Sequence, residues 1–202
     1  MTIKIAIIIY SMYGHIATLA ETEKKGILSS VPDAEVTIFQ VAETLSPEVL
    51  EKMGAPPKKD YPIATPDTLV EHDAFLFGFN TRFGNITAQM KTFLDRTGGL
   101  WASGKLYGKM VGFFESSGSG TNAVTIINNL SYFVHHGCIF VPLGYAPAFA
   151  ELTDLSVVKG GTAWGAGTIA GPQGELQPNE LESKIAHIQG AEFAKTVKKH
   201  FS

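Results

Sequence analysis

The stretch Ile3-Lys4-Ile5-Ala6-Ile7-Ile8-Ile9-Tyr10, followed at once by Ser11-Met12-Tyr13-Gly14-His15, decides the fold. Its first part is an almost uninterrupted run of β-branched and apolar residues, which predicts a strand buried on both faces in the middle of a sheet. Apolar residues then recur at helical spacing from Ile16 to Ile27. A buried strand, a short break and an amphipathic helix form the first unit of a parallel α/β sheet.

The same unit recurs along the chain. Further strands are predicted at Ala34–Phe39, Ala74–Phe79, Lys109–Phe114 and Cys138–Val141. Further helices are predicted at Pro47–Met53, Ala88–Asp95, Val124–Val134 and Pro178–Phe201. This alternation predicts one domain over residues 1–202, with a five-stranded parallel sheet in the flavodoxin-like order 2-1-3-4-5 and helices on both faces. Two connections are long: an extended surface segment from Val41 to Pro66, and a glycine-rich loop from Pro142 to Pro178 whose length suggests a functional role.

Composition narrows the function classes. The chain has 202 residues, of which 45% are hydrophobic and 17% charged, with a net charge of −3, so neither a disordered chain nor a nucleic-acid-binding protein is indicated. There is no apolar run of about 18 residues to span a membrane. The single cysteine, Cys138, excludes an intramolecular disulfide, and no ligand spacing indicates a metal site. With no signal peptide apparent, we expect a cytoplasmic protein that meets a membrane at most peripherally.

The first connection at the ligand-binding edge of the sheet is Ser11 to Ile16. Hydroxyl donors and free backbone N–H groups at a helix N-terminus form an anion site, and Gly14 lets the backbone close around it. The alternative is that Ser11 and Thr18 only cap the helix. Because the chain has neither a Gly-x-Gly-x-x-Gly motif after this strand nor a Gly-Lys-Ser/Thr motif, a cofactor with a single phosphate fits better than a dinucleotide or a nucleoside triphosphate.

Two more connections meet the first one at this edge. The second, Asn80 to Asn85, combines an arginine, amides, a hydroxyl and an aromatic ring, a mixture that suits a polar ring system such as a flavin, whose electronics a nearby charge would tune. The alternative is an exposed Arg82 on a ligand-free turn. The third, Glu115 to Thr121, is rich in small residues and hydrogen-bond donors. Trp101 lies between these two connections in the sequence, as the wall of a flat pocket or as a core or interface residue.

Several motifs, in this order and spacing, carry a family resemblance. They are Tyr10-Ser11-Met12-Tyr13-Gly14-His15-Ile16, Thr81-Arg82-Phe83-Gly84-Asn85, Gly98-Gly99-Leu100-Trp101-Ala102, His135-His136-Gly137, Gly160-Gly161-Thr162 and Gly165-Ala166-Gly167-Thr168-Ile169-Ala170-Gly171. Over nearly its whole length the chain resembles the WrbA-type NAD(P)H:quinone oxidoreductases, especially their fungal flavodoxin-like members.

The resemblance implies FMN as cofactor, NADH or NADPH as reductant, a quinone as substrate, a role against oxidative stress and a homotetramer, built as a dimer of dimers, in which neighbouring subunits complete each site. The implied FMN-binding residues are Ser11, Met12, Tyr13, Gly14, His15 and Ile16 for the phosphate, Thr81, Arg82, Phe83, Gly84 and Asn85 for the isoalloxazine, and Ser116, Ser117, Gly118, Ser119, Gly120 and Thr121 for its other side. His135 matches a residue that reaches the FMN, Tyr13 one that contacts the nicotinamide nucleotide, and Trp101 one that lines the substrate pocket. His135 and Tyr13 are also candidate proton donors.

The chain departs from the family pattern at two places. Asn80 stands where the family commonly has a proline before Thr-Arg-Phe, and Ser116 to Val124 replaces a Ser-Thr-Gly-Thr-Gly-Gly-Gly-Gln-Glu motif with a shorter sequence. These departures keep two alternatives open: a one-electron carrier that serves a protein partner, and a binding protein with weak or lost FMN binding. Hydrolysis is a weaker alternative, because no Gly-x-Ser-x-Gly motif frames a nucleophile.

Overall fold

A central parallel sheet organises the computed structural model, which describes residues 2–120 and 122–201. Its principal strands are β1 (Lys4–Ile9), β2 (Glu35–Gln40), β3 (Ala74–Asn80), β4 (Met110–Ser117) and β5 (Ile139–Phe140). They pair in the order β2-β1-β3-β4-β5, all parallel, which confirms the predicted flavodoxin-like sheet.

Helices cover both faces of this sheet. They are α1 (His15–Ser30), α2 (Pro47–Lys52), α3 (Pro66–Glu71), α4 (Ala88–Asp95), α5 (Gly98–Ala102), α6 (Asn122–His135), α7 (Phe149–Thr153) and α8 (Glu180–His200), with a 3₁₀ turn at Ala146–Ala148. The apolar sides of α1 and α8 share one core with one face of the sheet, and those of α4 and α6 share a second core with the other face. The helices that the sequence did not predict, α3, α5 and α7, are five or six residues long and too short to show a helical period.

The predicted end of the fourth strand at Phe114 is wrong. β4 continues through Glu115 to Ser117, because these residues pair with an additional parallel strand, β6 (Gly167–Ile169), and with the end of β3. Glu115, Ser116 and Ser117 therefore belong to the sheet, and the loop that follows begins at Gly118. The sequence did not reveal β6 because three residues are too few to show an alternating pattern.

Gly165 allows the segment before β6 to lie directly against β4. A Cβ atom at this position would stand 2.0 Å from the Phe113 carbonyl oxygen, which only a glycine avoids. The buried Gln189 of α8 joins the two segments, since its Nε2 donates to the Phe113 carbonyl at 2.9 Å and its Oε1 accepts from the Ala166 amide at 2.6 Å. The glycine-rich connection is thus a fixed part of the sheet edge.

A buried carboxylate, Glu182, ties this segment to the start of α8. Its Oε1 accepts from the backbone amides of Gly160 and Ile169, and its Oε2 accepts from the Thr168 hydroxyl and the Asn179 amide, all within 3.0 Å. The Asn179 side chain in return caps the Glu182 amide. One side chain therefore holds three separate segments beside the carboxyl edge of the sheet.

The two longest helices, α1 and α8, approach each other closely through glycines. A Cβ atom at Gly26 would lie 2.1 Å from the His187 carbonyl oxygen, and one at Gly190 would lie 2.2 Å from the Glu23 carbonyl oxygen. The neighbouring atoms are backbone, so they cannot rotate away. This contact sets the position of α1, and α1 begins at the predicted phosphate loop.

The substitution Gly190→Ala is expected to lower the free energy of unfolding by about 3 kcal/mol or more, because the added methyl group forces the two helices apart. Gly99→Ala is the control, since a Cβ atom there meets nothing within 4 Å. Urea unfolding followed by circular dichroism measures both variants. Equal stability of the two would contradict the close-contact account.

Candidate functional site

A cleft of about 300 Å³ opens at the carboxyl edge of the sheet, between the ends of β1, β3 and β4. Its walls are Tyr13, His15, Asn80, Thr81, Arg82, Ser116, Ser117, Gly118 and the segment Ala170–Gly174. Tyr13 and His15 of the first predicted connection therefore meet residues of the other two. Ser11, Met12 and Gly14 of that connection line a separate cavity of about 150 Å³, beside Lys58 and Tyr61. Sequence reasoning did not predict that residues 170–174 line the cleft. The glycine motif that ends at Gly171 was the available signal.

The first connection presents a helix N-terminus to the cleft. Gly14 has a left-handed backbone with φ of 94°, and α1 begins at the next residue, His15. The first amides of a helix lack intrahelical acceptors and carry the positive end of its dipole. The Ser11 Oγ accepts from the Ala17 amide at 3.2 Å, so Ser11 does cap the helix in this structure. Thr18 instead donates to the Gly14 carbonyl.

Two residues of this connection are anchors. Met12 is 4% exposed and packs in the core beneath α4 and α6, whereas Ile16 is fully buried in the core shared by α1 and α8. Their side chains do not line the cleft. They fix the backbone around Gly14 from both faces of the sheet, which leaves their amides as the groups that can contact a phosphate.

The second connection is a tight turn under strain. Arg82 and Asn85 exchange backbone hydrogen bonds of 2.7 and 2.9 Å, and both residues between them have positive φ, 53° for Phe83 and 74° for Gly84. This is the pattern of a type I′ turn, in which a bulky first residue is unusual. The Phe83 ring is fully exposed, and the exposed Arg82 donates from Nη1 to the Thr81 carbonyl. Backbone strain with an uncovered aromatic ring indicates a surface that binds something.

The third connection forms the opposite side of the cleft. Gly118, Ser119 and Gly120 are exposed, and the Gly120 amide donates to the Ser117 Oγ at 3.0 Å. The last of the predicted residues here, Thr121, lies outside the described residues. In the neighbouring turn Gly84 and Asn85 lie against α6, where Asn128 Nδ2 donates to the Gly84 carbonyl and Asn129 Nδ2 donates to the Asn85 Oδ1.

Polar atoms without partners lie in the cleft at Asn80 and next to it at Glu115, which precedes the cleft residue Ser116. Asn80 Oδ1 and both carboxyl oxygens of Glu115 are buried, and none of them has a hydrogen-bond partner among the described residues. Burial raises the pKa of Glu115 to about 8, partly opposed by the Thr125 hydroxyl. Unsatisfied groups are costly in a protein interior. Since Asn80 lines the cleft, its unused acceptor fits a ligand that brings hydroxyl or N–H donors, as the ribityl chain and the pyrimidine ring of FMN do.

A hydrogen-bonded network supports the end of β1 beside the cleft. The Tyr10 hydroxyl donates to Glu43, which also accepts from Lys58, Gln89 and the Thr44 and Leu45 amides. Burial opposes ionisation of Glu43, but these donors prevail and lower its pKa to about 2. Burial and the adjacent carboxylate raise the pKa of Tyr10 well above its usual value. The network therefore ties the end of β1 to the segments that carry Glu43, Lys58 and Gln89.

Trp101 and His135 do not line the cleft of their own chain. They lie together in a second groove of about 430 Å³, between α5 and α6. The Trp101 side chain is 59% exposed, and His135 is exposed with its Nδ1 2.6 Å from the Ser131 carbonyl oxygen. Within one chain, then, the structure separates these two residues from Tyr13 and the three connections.

Comparisons with known proteins identify the family. The model of the family described as NADPH-dependent FMN reductase matches residues 3–150. The chain belongs to this family. Relatives of this FMN reductase family member include Protoplast secreted protein 2 of Saccharomyces cerevisiae, 58% identical over 97% of this chain and 98% of the relative, and NAD(P)H quinone oxidoreductase PST3 of Candida albicans, 56% identical over 98% and 100%. Quinone-oxidoreductase QR2 of Triphysaria versicolor is 47% identical over 98% and 97%.

Solved structures place the fold of this FMN reductase family member among flavodoxins. A WrbA-like flavodoxin protein from Agrobacterium tumefaciens superposes with a TM-score of 0.61 over 98% of this chain and 99% of that one, at 22% sequence identity. At this identity the likeness concerns the fold alone.

The strain at Phe83 gives a test on the protein without ligand. Phe83→Asn is expected to be more stable than Phe83→Ala by about 0.5–1 kcal/mol, because asparagine tolerates the left-handed backbone better than other residues with a Cβ. Both variants lose the exposed ring, so each is the control for the other. Denaturant unfolding measures the difference, and equal stabilities would contradict strain in the turn.

Proposed function

We propose that the chain is an FMN-dependent NAD(P)H:quinone oxidoreductase that reduces quinones by two electrons in a ping-pong cycle. The observation that carries the proposal is the single cleft, which combines a helix N-terminus for a phosphate, a cationic side chain and an unused buried acceptor. Family membership and relatives named quinone oxidoreductases support the same activity. Bound FMN would supply the two-electron chemistry that links oxidation of the nicotinamide nucleotide to reduction of the quinone.

The protein supplies binding, orientation and charge. Backbone amides of Ser11 to Ile16 bind the phosphate dianion through the α1 dipole. Thr81, Arg82, Phe83, Gly84 and Asn85 contact one edge of the flavin, where the Arg82 guanidinium favours an anionic ring. Ser116, Ser117, Gly118, Ser119 and Gly120 would contact the other side, and Thr121, which the resemblance adds to this set, lies outside the described residues. Tyr13 lines the cleft, and on this proposal it would contact the nicotinamide nucleotide and then the quinone.

We propose further that the working unit is a homotetramer in which neighbouring chains share sites. The outer side of α6 exposes Val124, Ile127 and Val134 close to the groove that holds Trp101 and His135. Apolar side chains in such a row indicate a protein contact. Contact through this surface would bring Trp101 and His135 of one chain to the cleft of the next, where they would line the quinone site and offer His135 as a proton donor.

A cytoplasmic location fits this proposal, because NADH and NADPH are available there. Among residues 2–120 and 122–201, no helix has the length and apolar character needed to cross a bilayer. A lipid-soluble quinone would then be met at the membrane surface.

Titration of the purified protein with FMN, followed by anaerobic NADPH, tests the activity. We expect tight binding, bleaching of the oxidised flavin absorbance, and its recovery on addition of benzoquinone. Binding without bleaching would indicate an electron carrier instead. No binding would mean that the short 116–124 segment has removed the cofactor site.

Sedimentation equilibrium tests the shared site. The wild-type chain is expected to have the mass of four chains, and Val134→Asp to have a smaller mass with lower quinone reductase activity, since a charge on the contact surface opposes association. Val49→Asp on α2 is the control, because Val49 is 40% exposed outside this surface. A fully active single chain would contradict the shared-site proposal.

A further inference from the structure

Thr97 is a buried residue at the start of α5, the helix that carries Trp101. It is 1% exposed and lines the groove between α5 and α6. Its backbone carbonyl accepts hydrogen bonds from the amides of Leu100 and Trp101, at 2.9 and 3.1 Å. Because Trp101 is 59% exposed, neighbouring side chains hold it only in part. The position of Trp101 therefore depends on where Thr97 is fixed.

The Thr97 hydroxyl joins the start of α5 to the end of α6. Its Oγ1 lies 2.7 Å from the Leu94 carbonyl oxygen and 3.2 Å from the His136 Nε2, and it also contacts the Tyr132 hydroxyl. A threonine hydroxyl can donate once and accept twice. Its proton goes to the Leu94 carbonyl, which can only accept, so Tyr132 and His136 both donate to it. Every hydrogen-bonding capacity of this hydroxyl is then used.

Both donors keep the protons that this arrangement needs. Burial raises the pKa of Tyr132 to about 12. Burial, together with the neighbouring His135, lowers the pKa of His136, which is therefore neutral at pH 7. The His136 Nδ1 is buried without a hydrogen-bond partner among the described residues, so a second proton there would have no acceptor. The contacts select the neutral ring with its proton on Nε2.

The α6 side of this contact is anchored in the core. Tyr132 packs edge-on against Phe133 with 4.8 Å between ring centroids, and the Phe133 ring lies 4.9 Å from that of Phe77 in the core beneath α4 and α6. His135 lies on the last turn of α6, and its Nδ1 is 2.6 Å from the Ser131 carbonyl oxygen. Since a carbonyl accepts, Nδ1 carries a proton, and Nε2 is the atom left to exchange one with a ligand.

We propose that Thr97 is a positioning residue for quinone reduction, which sets the distance between Trp101 and His135 by joining α5 to the end of α6. The inference rests on the proposed function, in which these two residues of one chain line the quinone site of the next. Reduction of a quinone takes one proton besides the hydride, and His135 is placed to donate it, whereas oxidation of NAD(P)H takes no proton from the protein. Displacement of His135 from Trp101 should therefore impair reaction with the quinone more than reaction with NAD(P)H.

The hydrogen bonds of Thr97 can be tested on the protein without ligand. Nitrogen NMR of the labelled imidazole rings distinguishes a protonated from an unprotonated ring nitrogen, and His136→Gln identifies the His136 signals. The wild type is expected to show a protonated Nε2 and an unprotonated Nδ1. Thr97→Val keeps the shape of the side chain but removes the acceptor, so this preference should be lost. Thr97→Ser restores the acceptor and should restore the preference.

Steady-state kinetics of the FMN-loaded enzyme test the role of Thr97. We expect Thr97→Val to lower kcat/KM for benzoquinone by about 10- to 100-fold, since a displacement of the order of 1 Å in a positioned group is that costly. The value of kcat/KM for NADPH should change much less. Thr97→Ser should remain near the wild type in both. Sedimentation should give Thr97→Val the same mass as the wild type, which separates displacement within the groove from dissociation of the chains.

Thr68→Val is the matched control. Thr68 on α3 is 5% exposed and its Oγ1 accepts from the Thr65 amide at 3.1 Å, so the substitution also removes a hydrogen-bonded hydroxyl from a buried threonine. Among the described residues that line the groove and the cleft, none belongs to α3. Thr68→Val should lower stability and leave both kcat/KM values unchanged.

Each outcome separates the two proposals. If the wild-type enzyme fails to bind FMN or to reduce benzoquinone, the proposed function fails and the role of Thr97 with it, while the His136 signals still test the hydrogen bonds. If the wild type works and Thr97→Val keeps its kcat/KM for benzoquinone, loses both kcat/KM values equally, or matches Thr97→Ser, the Thr97 inference is overturned. Should Thr97→Val not fold, Tyr132→Phe removes one donor to the same hydroxyl, and an unchanged kcat/KM for benzoquinone in that variant overturns it.

Discussion

Burial of β1 on both faces is the constraint on which the rest of the structure depends. Ile5, Ile7 and Ile9 pack into the core beneath α1 and α8, while Ala6 and Ile8 pack into the core beneath α4 and α6. A strand that is apolar on both sides must lie inside a sheet with helices above and below, and parallel crossovers meet that requirement. The carboxyl ends of β1, β3 and β4 then meet at one edge. The cleft is the consequence of this arrangement.

Several features that oppose folding lie at the cleft or next to it. Phe83 has a strained backbone, Asn80 keeps an unused buried acceptor, and Glu115 is an acid without a counter-charge. Each of these features opposes folding of the chain alone. By contrast, Glu182, which lies beside the same edge of the sheet, accepts two hydrogen bonds at each of its carboxylate oxygens. Glu23 between α1 and α8 and His136 just after α6 also keep buried atoms without a hydrogen-bond partner among the described residues. The combination of a strained backbone with an unused acceptor in one cleft is what is typical of a site that a ligand completes.

Periodic features of the sequence predicted the sheet order and the long helices, because hydrophobic period directly reflects burial. The first strand could be assigned from its eight residues alone, and the resemblance of the motifs identified the family. Features without a period were missed: β6 has three residues, and the extension of β4 through Glu115–Ser117 depends on pairing with it. The separation of Trp101 from the cleft arises from tertiary packing, which no local pattern encodes. The cleft wall at 170–174 depends likewise on the close approach that Gly165 permits.

On the proposed function, FMN binds in the cleft formed by the three connections. Backbone amide chemical shifts of the isotope-labelled protein, recorded before and after addition of FMN, test this binding site directly. We expect the largest changes at Gly14, Thr81 and Gly118, with little change at residues 141–147, which follow β5 and line a separate cavity against α8. Changes concentrated in the groove of Trp101 and His135 and absent from Gly14, or no changes at all, would contradict the account.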